Sequence, residues 1–262
     1  MDLSLAGMVL VVTGSTDGVG RAISLEAARH GAEKILVTGR DRAKGEAAKA
    51  ELAALGAEAH FVADDLADGD APGRIADAAL ERFGRIDALV NAAGLTDRGS
   101  ALDATPALWD RLYAVNARAP FFLMQRAIAD MRGRGRKGAI VNILSINVHG
   151  GATDLAVYAS TKAALALLTK NAAHAHRFDR IRINGINMGW ADTPAERRMH
   201  AEVLGKGEEW LPAQAAAQPW GRLLAAEDVA RLALFLLSPA SEPMTGALID
   251  QEQHVHGPKD AA

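Results

Sequence analysis

The chain of 262 residues is long enough for one large α/β domain or two small ones, and 49% of it is hydrophobic, enough to bury a substantial core. A formal net charge of -3, with scattered Lys and Arg, provides no positive field for a polyanion, so nucleic acid is not an expected partner. The absence of cysteine excludes disulfides, thiolate catalysis and thiolate metal sites, and it suits a reducing compartment.

The start of the chain and its other apolar runs argue against export and against a membrane anchor. Asp2 stands where a secretory signal would carry basic residues, and the apolar run up to Val12 is short. Other runs, such as residues 232–237, are far shorter than the roughly 20 residues that span a bilayer. The sequence therefore predicts a cytoplasmic protein with no membrane partner.

Short β-rich runs alternate with longer Ala-rich segments of helical periodicity along the whole chain. This alternation predicts repeated βαβ units, hence an α/β fold with a doubly wound parallel sheet of about seven strands and helices on both faces. No break in composition divides the chain, so a single domain over residues 1–262 is predicted. The predicted strands are 8–13, 34–38, 59–63, 88–91, 139–144, 182–187 and 247–250, and the clearest helices are 20–30, 42–55, 73–83 and 227–237.

The first predicted strand leads directly into a glycine-rich turn that opens the first helix. Its spacing, Gly-x3-Gly-x-Gly, lets the chain turn sharply and brings backbone amides close to a pyrophosphate, while the helix N-terminus favours negative charge. The alternative is a tight strand-to-helix turn with no ligand. The predicted dinucleotide site comprises Gly14, Ser15, Thr16, Asp17, Gly18, Val19 and Gly20.

The end of the second predicted strand bears on the choice between NAD and NADP. A site for NAD usually has a carboxylate here for the ribose hydroxyls, whereas a site for NADP offers an arginine to the 2′-phosphate. Gly39 and Arg40 favour NADP(H), while Asp41, which could fold back toward the ribose, keeps NAD(H) open. Arg40 could also be only a solvated residue at the start of the next helix.

Two residues one helical turn apart, Tyr158 and Lys162, are the strongest candidates for chemistry. A helix places both side chains on one face, and a nearby ammonium is expected to lower the Tyr158 pKa from about 10 toward the neutral range. Ser145 closes the fifth predicted strand, at the edge where open α/β sheets bind ligands, and its hydroxyl can polarise a carbonyl. The alternative for the pair alone is an exposed helix face.

Several motifs, in order, resemble the short-chain dehydrogenase/reductase family over almost the whole chain. The resemblance implies a Rossmann-type domain and an NAD(P)-dependent oxidoreductase that interconverts a carbonyl and a secondary alcohol by hydride transfer. It also implies a small-molecule substrate and a homotetramer or homodimer. The motifs are the glycine turn, Asn91-Ala92-Ala93-Gly94, Asn116, Ser145, Tyr158, Lys162 and the stretch from Gly189 to Thr193.

For the adenosine half of the cofactor, the resemblance assigns further residues. Asp65 and Leu66 correspond to an acidic-aliphatic pair that contacts adenine, although Asp64 permits a register one residue earlier and both acids could instead cap the next helix. The segment from Asn91 to Gly94 is expected along the adenosine ribose, although its second residue is Ala where the family usually has Asn. Asp17 occupies a position that is often basic in NADP-type members.

For the nicotinamide half, Gly189, Ala191 and Thr193 belong to a segment that in the family grips the carboxamide. Met188 replaces the usual proline before it, which leaves the turn less rigid. Asn116 corresponds to the residue that bends its helix and whose carbonyl holds a water linked to the lysine. The alternative for Asn116 is an ordinary position within a helix, and no metal is expected anywhere in the chain.

Residues 189–221 break the βα rhythm, since they contain three tryptophans, three prolines and mixed charge. They are predicted to form a substrate-binding lid, with an irregular surface excursion as the alternative. Substrate choice is assigned to this lid and to the loop 146–154, in which His149 could face the substrate. Residues 249–252 depart from the Asp-Gly-Gly of many relatives and could alter the pocket or subunit contacts.

Two other functions stay open at this stage. One is a catalytically idle nucleotide-binding protein with a regulatory role, and the other is an epimerase or dehydratase that retains its cofactor. The complete set of Ser145, Tyr158 and Lys162 disfavours the first. A net change in reduced nicotinamide would separate the oxidoreductase from the second.

Overall fold

A computed structural model describes residues 2–207 and 209–255 and has a seven-stranded parallel sheet at its centre. The strand order is β3-β2-β1-β4-β5-β6-β7, and each neighbouring pair is parallel. The predicted doubly wound α/β fold of about seven strands is confirmed, with strand ends within a few residues of those expected. The strands are β1 Val9–Thr13, β2 Lys34–Gly39, β3 Glu58–Ala63, β4 Ala88–Asn91, β5 Gly138–Ile143, β6 Ile181–Met188 and β7 Leu248–Gln251.

Nine α-helices within the described residues connect and cover the strands. A π-helical turn, Ala114–Arg118, joins the fourth helix to the fifth, and 3-10 turns lie at Ile146–His149 and Pro239–Ser241. No helix in 2–207 or 209–255 combines the length and apolar character needed to cross a membrane. The helices are α1 Gly18–Arg29, α2 Arg42–Ala54, α3 Ala71–Phe83, α4 Pro106–Tyr113, α5 Ala119–Gly133, α6 Ala156–Ala175, α7 Pro194–Arg198, α8 Trp210–Ala216 and α9 Ala226–Leu237.

Both faces of the sheet are buried, which explains why its strands are continuously apolar. In β1, Leu10 and Val12 point to one face and pack in a core with α1 and α9. Val9 and Val11 point to the opposite face and share a second core with α3, α5 and α6. The alternation of side chains along a strand thus divides one apolar run between two cores.

The helix boundaries follow from their caps. Asp17 has extended backbone and its side chain accepts the N–H of Gly18, so α1 begins two residues earlier than the periodicity predicts. Gly31, with a φ of +89°, follows the last turn of α1, where a glycine tolerates the left-handed conformation. Asp41 and Thr105 cap α2 and α4 through side-chain oxygens.

The strand order reverses direction between β1 and β4, and this switch point determines where a ligand can bind. From β1 the chain first adds strands on one side, β2 and β3, and then crosses to β4 on the other. The connections diverge above the carboxyl ends of these two strands, which opens a crevice there. The glycine turn follows β1 and the segment Ala92–Gly94 follows β4, so both lie at this crevice.

The predicted lid, residues 189–221, has more regular structure than its sequence indicates. Outside Glu208, which lies beyond the described residues, it contains α7, a π-helical turn Met199–Val203 and α8. A parallel ribbon of two short strands, Ala191–Asp192 and Leu224–Ala225, joins its two ends. The segment therefore leaves and rejoins the body of the protein at one place.

A buried arginine, Arg182, links β6 to the end of α9. Its guanidinium donates to the carbonyls of Leu236, Leu237 and Ser238 at 2.7–3.0 Å and to the Ser241 hydroxyl at 2.5 Å. The last carbonyls of a helix have no partners within the helix, and the helix dipole is negative at this end. Arg182 therefore satisfies three buried acceptors and places its charge where the dipole is favourable.

We expect Arg182→Met to lower the free energy of unfolding by about 2–4 kcal/mol, because it leaves buried carbonyls without donors. Urea denaturation followed by circular dichroism measures the change. Lys49→Met is the control, since Lys49 forms an exposed pair with Glu46 whose loss should cost at most about 1 kcal/mol. Equal losses in the two variants would contradict the role given to Arg182.

Candidate active site

A cavity of about 620 Å³ lies over the carboxyl ends of the central strands, within the size range of small-molecule and cofactor sites. Its lining includes most of the predicted cofactor residues and the three predicted catalytic residues of β5 and α6. The predicted residues that line it are Gly14, Thr16, Asp17, Gly18, Val19, Gly20, Arg40, Asp65, Leu66, Ala92, Ala93, Gly94, Ser145, Tyr158, Lys162, Gly189, Ala191 and Thr193.

Ser15, Asn91 and Asn116, in contrast, do not line the cavity. The Ser15 hydroxyl donates to the Val12 carbonyl at 2.7 Å and accepts the Thr38 N–H at 3.0 Å, so it links β1 to β2. Asn91 is buried and its amide donates to Asn142 at 2.8 Å. These polar side chains stabilise the sheet beneath the cavity.

The glycine turn is shaped by close contacts between main-chain segments. A Cβ atom on Gly14 would lie 2.7 Å from the Cα of Ala93, and one on Gly20 would lie 2.3 Å from the Gly14 carbonyl oxygen. Gly14 and Gly18 also have φ angles of +61° and +52°. The result is a cradle of bare backbone beside the N-terminus of α1, which fits a pyrophosphate.

At the end of the cavity predicted for the adenosine, the Asp17 and Asp41 side chains are held by other described residues, whereas Arg40 is not. The Asp17 carboxylate pairs with Lys44 at 2.6 Å, and although burial opposes it, hydrogen bonds from Lys44 and the Gly18 N–H lower the Asp17 pKa. Asp41 caps α2 by accepting the Lys44 N–H at 3.1 Å. Arg40 lines the cavity and forms no ion pair with another described residue.

Both acids after β3 line the cavity. Arg74 holds Asp64 through two hydrogen bonds of 2.7 and 2.9 Å, whereas Asp65 accepts the N–H of Ala67 at 3.0 Å. The next helix, α3, begins only at Ala71. The alternative in which these acids cap that helix is therefore wrong.

Ser145, Tyr158 and Lys162 converge at the centre of the cavity. Ser145 follows β5 and caps the 3-10 turn, and Tyr158 lies in the first turn of α6, with a hydrogen bond to Ser145. One turn later, the Lys162 ammonium donates to the Ile143 carbonyl at 2.9 Å, with its Nζ atom 5.9 Å from the centre of the Tyr158 ring. The exposed-helix alternative for the pair is wrong, since both side chains are buried.

The electrostatics of this group differ from the expectation. Burial raises the Tyr158 pKa above 10, while the Ser145 hydrogen bond and the charge of Arg98 act in the opposite direction. Burial also lowers the Lys162 pKa to about 8. The expectation that Lys162 lowers the Tyr158 pKa does not hold for the protein alone, because desolvation dominates and the ammonium is directed to Ile143.

Asn116 lies within the π-helical turn, not in regular α-helix. Its side chain accepts the Leu95 N–H and donates to the Leu95 carbonyl, both at 2.9 Å, and it donates to Thr161 at 3.1 Å. Thr161 precedes Lys162 in α6. Asn116 therefore connects the segment after β4 to the helix that carries Tyr158 and Lys162.

On the nicotinamide side, Thr193 caps α7 through its hydroxyl and faces the glycine turn, since a Cβ on Gly18 would lie 3.6 Å from the Thr193 side chain. Gly189 donates its N–H to Gln251 at 2.9 Å. A Cβ on Gly189 would lie 2.2 Å from a carboxylate oxygen of Glu252. The unusual residue Glu252 thus lies directly against this segment and lines the cavity.

Sequence reasoning missed a polar group at the far side of the cavity. Arg98, Glu196 and His200 line the cavity together with Trp190. His149, which the sequence suggests could face the substrate, does not line the cavity, and its Nε2 atom lies 3.0 Å from the Asp250 carboxylate. In the sequence, the nearest signals of this polar group are the position of Arg98 shortly after the Asn91–Gly94 motif and the tryptophans of the predicted lid. Among the described residues, no group of three or more His, Asp or Glu side chains could hold a metal ion.

The chain is similar to known proteins over most of its length. A family profile described as enoyl-(acyl carrier protein) reductase matches residues 14–252. The chain is 33% identical to the short-chain dehydrogenase/reductase FrzI of Cladobotryum sp., covering 94% of this chain and 95% of the relative. It is 34% identical to gluconate 5-dehydrogenase of Gluconobacter oxydans (strain 621H), covering 94% and 93%. L-sorbose reductase of Gluconobacter frateurii, solved with NADPH and L-sorbose, superposes with a TM-score of 0.89 at 28% identity, covering 97% and 98%.

The lowered pKa of Lys162 leads to a prediction about stability in the absence of ligands. Between its folded pKa of about 8 and the unfolded value of about 10.4, the unfolded chain holds a proton that the folded protein has lost. Stability contributed by this residue should therefore rise with pH in that window, by at most about 1.4 kcal/mol per pH unit.

Urea denaturation at several pH values, compared between the wild type and Lys162→Met, measures this contribution. The rise should be absent from Lys162→Met and retained in Lys170→Met, which replaces an exposed lysine of the same helix. A wild-type protein and a Lys162→Met variant with parallel pH profiles would contradict the assignment.

Proposed function

The chain belongs to the short-chain dehydrogenase/reductase family, and we propose that it is an NAD(P)-dependent oxidoreductase that interconverts a carbonyl and a secondary alcohol. The observation that carries the proposal is the convergence of Ser145, Tyr158 and Lys162 in the cavity that also contains the glycine turn. The backbone cradle at Gly14 and Gly20 fits a pyrophosphate, and the strand order opens the crevice at the same place.

The proposed mechanism assigns proton chemistry to the protein. When bound, the nicotinamide nucleotide supplies or accepts the hydride at the substrate carbon. In the direction of reduction, the Tyr158 hydroxyl gives its proton to the carbonyl oxygen, and the Ser145 hydroxyl donates a hydrogen bond to that oxygen as charge develops. In oxidation, Tyr158 takes the proton from the alcohol.

Lys162 is proposed to hold the nicotinamide ribose. An ammonium has three N–H donors, and the Ile143 carbonyl takes one of them, so two remain for ribose hydroxyls. With a pKa of about 8 the group is charged at neutral pH, and its charge then favours the phenolate of Tyr158 in the loaded enzyme. Asn116 is proposed as a positioning residue, because it fixes Leu95 and Thr161 around this group.

Residues 189–221 are proposed as the substrate-binding lid within a single domain of 1–262. The stacking of Trp190 on Trp210, with ring centres 5.9 Å apart, gives this segment its own small core. The ribbon at Ala191–Asp192 and Leu224–Ala225 pairs its two ends with each other. Such a segment can cover a bound substrate and exclude water.

The cofactor is proposed to be NADP(H). A Cβ on Gly39 would lie 2.7 Å from the Thr16 side chain, so the carboxylate that binds ribose hydroxyls in NAD-type sites would require Thr16 to shift. Asp41 and Asp17 are occupied as a helix cap and as the partner of Lys44. Arg40, which lines the cavity and has no ion pair with another described residue, can bind a 2′-phosphate.

A homodimer or homotetramer acting in the cytoplasm completes the proposal. Exposed apolar side chains on neighbouring helices, including Phe121, Phe122 and Leu167, support self-association. The absence of cysteine from the sequence is compatible with a reducing compartment.

We expect Tyr158→Phe to reduce turnover by about 10³-fold or more while the affinity for the reduced nucleotide changes little, because the phenol oxygen carries the proton. The test follows absorbance of the reduced nicotinamide with a panel of ketones and secondary alcohols, and nucleotide binding is measured by fluorescence. Tyr113→Phe, at the other tyrosine of the chain, is the control. Full turnover by Tyr158→Phe would refute the role of Tyr158, and product formation without a net change in reduced nicotinamide would favour an epimerase or dehydratase.

We expect the wild type to prefer NADPH, and Arg40→Gln to lower kcat/KM for NADPH by roughly 10- to 100-fold with little change for NADH, because one charge-assisted contact to the 2′-phosphate is lost. Arg42→Gln is the matched control, since Arg42 is exposed nearby and does not line the cavity. A wild type that prefers NADH, or equal effects of the two substitutions, would overturn the assignment.

A further inference from the structure

The part of the cavity beyond Tyr158 carries charged side chains that the proposed proton chemistry does not use. Arg98 comes from the segment after β4, and Glu196 and His200 come from the predicted lid. Glu196 accepts hydrogen bonds from the Trp190 indole at 2.8 Å and from His200 at 3.0 Å. His200 is buried and stacks on Trp210 with ring centres 4.4 Å apart.

The partners of His200 determine which of its nitrogens carries a proton. Its Nε2 atom faces the Glu196 carboxylate, which can only accept, so Nε2 must donate. Its Nδ1 atom lies 3.2 Å from the ammonium of Lys206, which can only donate, so Nδ1 must accept. His200 is therefore the neutral Nε2–H tautomer, in accordance with a pKa that burial lowers.

Among the described residues of the lid, this tautomer leaves Arg98 without an acceptor. The Arg98 Nη2 atom lies 3.4 Å from His200 Nε2, but that nitrogen already carries a hydrogen and cannot accept another. Arg98 Nε is buried and has no hydrogen-bond partner. The same Nε atom lies 3.4 Å from a carboxylate oxygen of Asp154, an ion pair that solvent weakens because the Asp154 side chain is 65% exposed. A guanidinium with unmet donors inside a cavity is costly unless a ligand supplies the acceptors.

We propose that Arg98 binds a carboxylate of the substrate, so that the enzyme acts on hydroxy acids and the corresponding oxo acids. This inference rests on the proposed oxidoreductase function and specifies its substrate class. A planar carboxylate matches the fork of a guanidinium with two parallel hydrogen bonds, which few other small anions do equally well.

The surrounding charges orient such a substrate in one direction. Glu252 lies against Gly189, and Glu196 holds Trp190 and His200 through its Oε1 atom, so two negative charges line the cavity away from Arg98 and repel a carboxylate. Arg98 lies close enough to Tyr158 for its charge to lower the Tyr158 pKa. With the carboxylate at Arg98, the hydroxyl or carbonyl carbon of a short acid is directed toward Tyr158 and Ser145.

Matched probes separate the carboxylate from the rest of the substrate. Gluconate and sorbitol share a six-carbon polyol chain and differ in a carboxylate against a hydroxymethyl group, and cis-4-hydroxycyclohexanecarboxylate can be compared with its methyl ester. We expect the wild type to favour the acid of each pair, and Arg98→Gln to reduce kcat/KM for the acids by at least about tenfold, mainly through KM, with neutral probes changed less.

Two further variants distinguish a specific contact from general charge and from folding. Arg98→Lys keeps the charge without the fork and should fall between wild type and Arg98→Gln. Lys206→Gln removes a nearby positive charge, keeps a donor for His200 and does not alter the cavity lining, so it should retain the preference for acids. An equal loss in Lys206→Gln and Arg98→Gln would overturn the proposal.

Binding without turnover keeps this proposal separate from the oxidoreductase function. Calorimetry with NADPH-loaded enzyme and cyclohexanecarboxylate should show binding that weakens at least about tenfold in Arg98→Gln, with cyclohexylmethanol as the neutral probe. Absence of carboxylate binding by the wild type, or equal binding by Arg98→Gln, overturns the inference even when turnover is normal. Full activity of Tyr158→Phe refutes the proposed function without affecting this binding result.

Discussion

The close approach of two main-chain segments at the carboxyl edge of the sheet is the constraint around which the rest is arranged. Gly14 follows β1 and Ala93 follows β4, and no side chain fits between them. The contact occurs where the strand order changes direction, so it forms the floor of a crevice. Once these two segments meet, the start of α1, the Leu95 loop held by Asn116, and Lys162 beneath Gly94 all face the same cavity.

Burial of Lys162 lowers the stability of the folded protein at neutral pH, where a pKa of about 8 leaves the lysine charged, whereas Tyr158 is neutral there. Burial disfavours the charged form of each group, since it raises the pKa of Tyr158 and lowers that of Lys162. A functional site can hold such groups because the surrounding structure, here the Ile143 carbonyl and the Ser145 hydroxyl, fixes their positions. Ligands that supply polar partners to Tyr158 and Lys162 would offset this penalty of burial.

The sequence was informative where a function depends on local spacing. The glycine turn, the Tyr-Lys interval and the strand alternation are encoded within a few residues, and the fold follows from them. The orientation of Ser15 could not be predicted, because it depends on hydrogen bonds to Val12 and Thr38 across two strands. Arg98 and His200 are 102 positions apart, so only the folded chain brings them together.

The proximity of Gly39 and Thr16 makes cofactor choice a coupled property of two chain segments. A carboxylate at position 39 requires Thr16 to move or shrink first, because the would-be Cβ is only 2.7 Å away. An acid introduced at 39 alone would therefore disturb the glycine turn before it gained a ribose contact. Substitutions at positions 39 and 16 are therefore expected to have non-additive effects, because the two side chains would share one space.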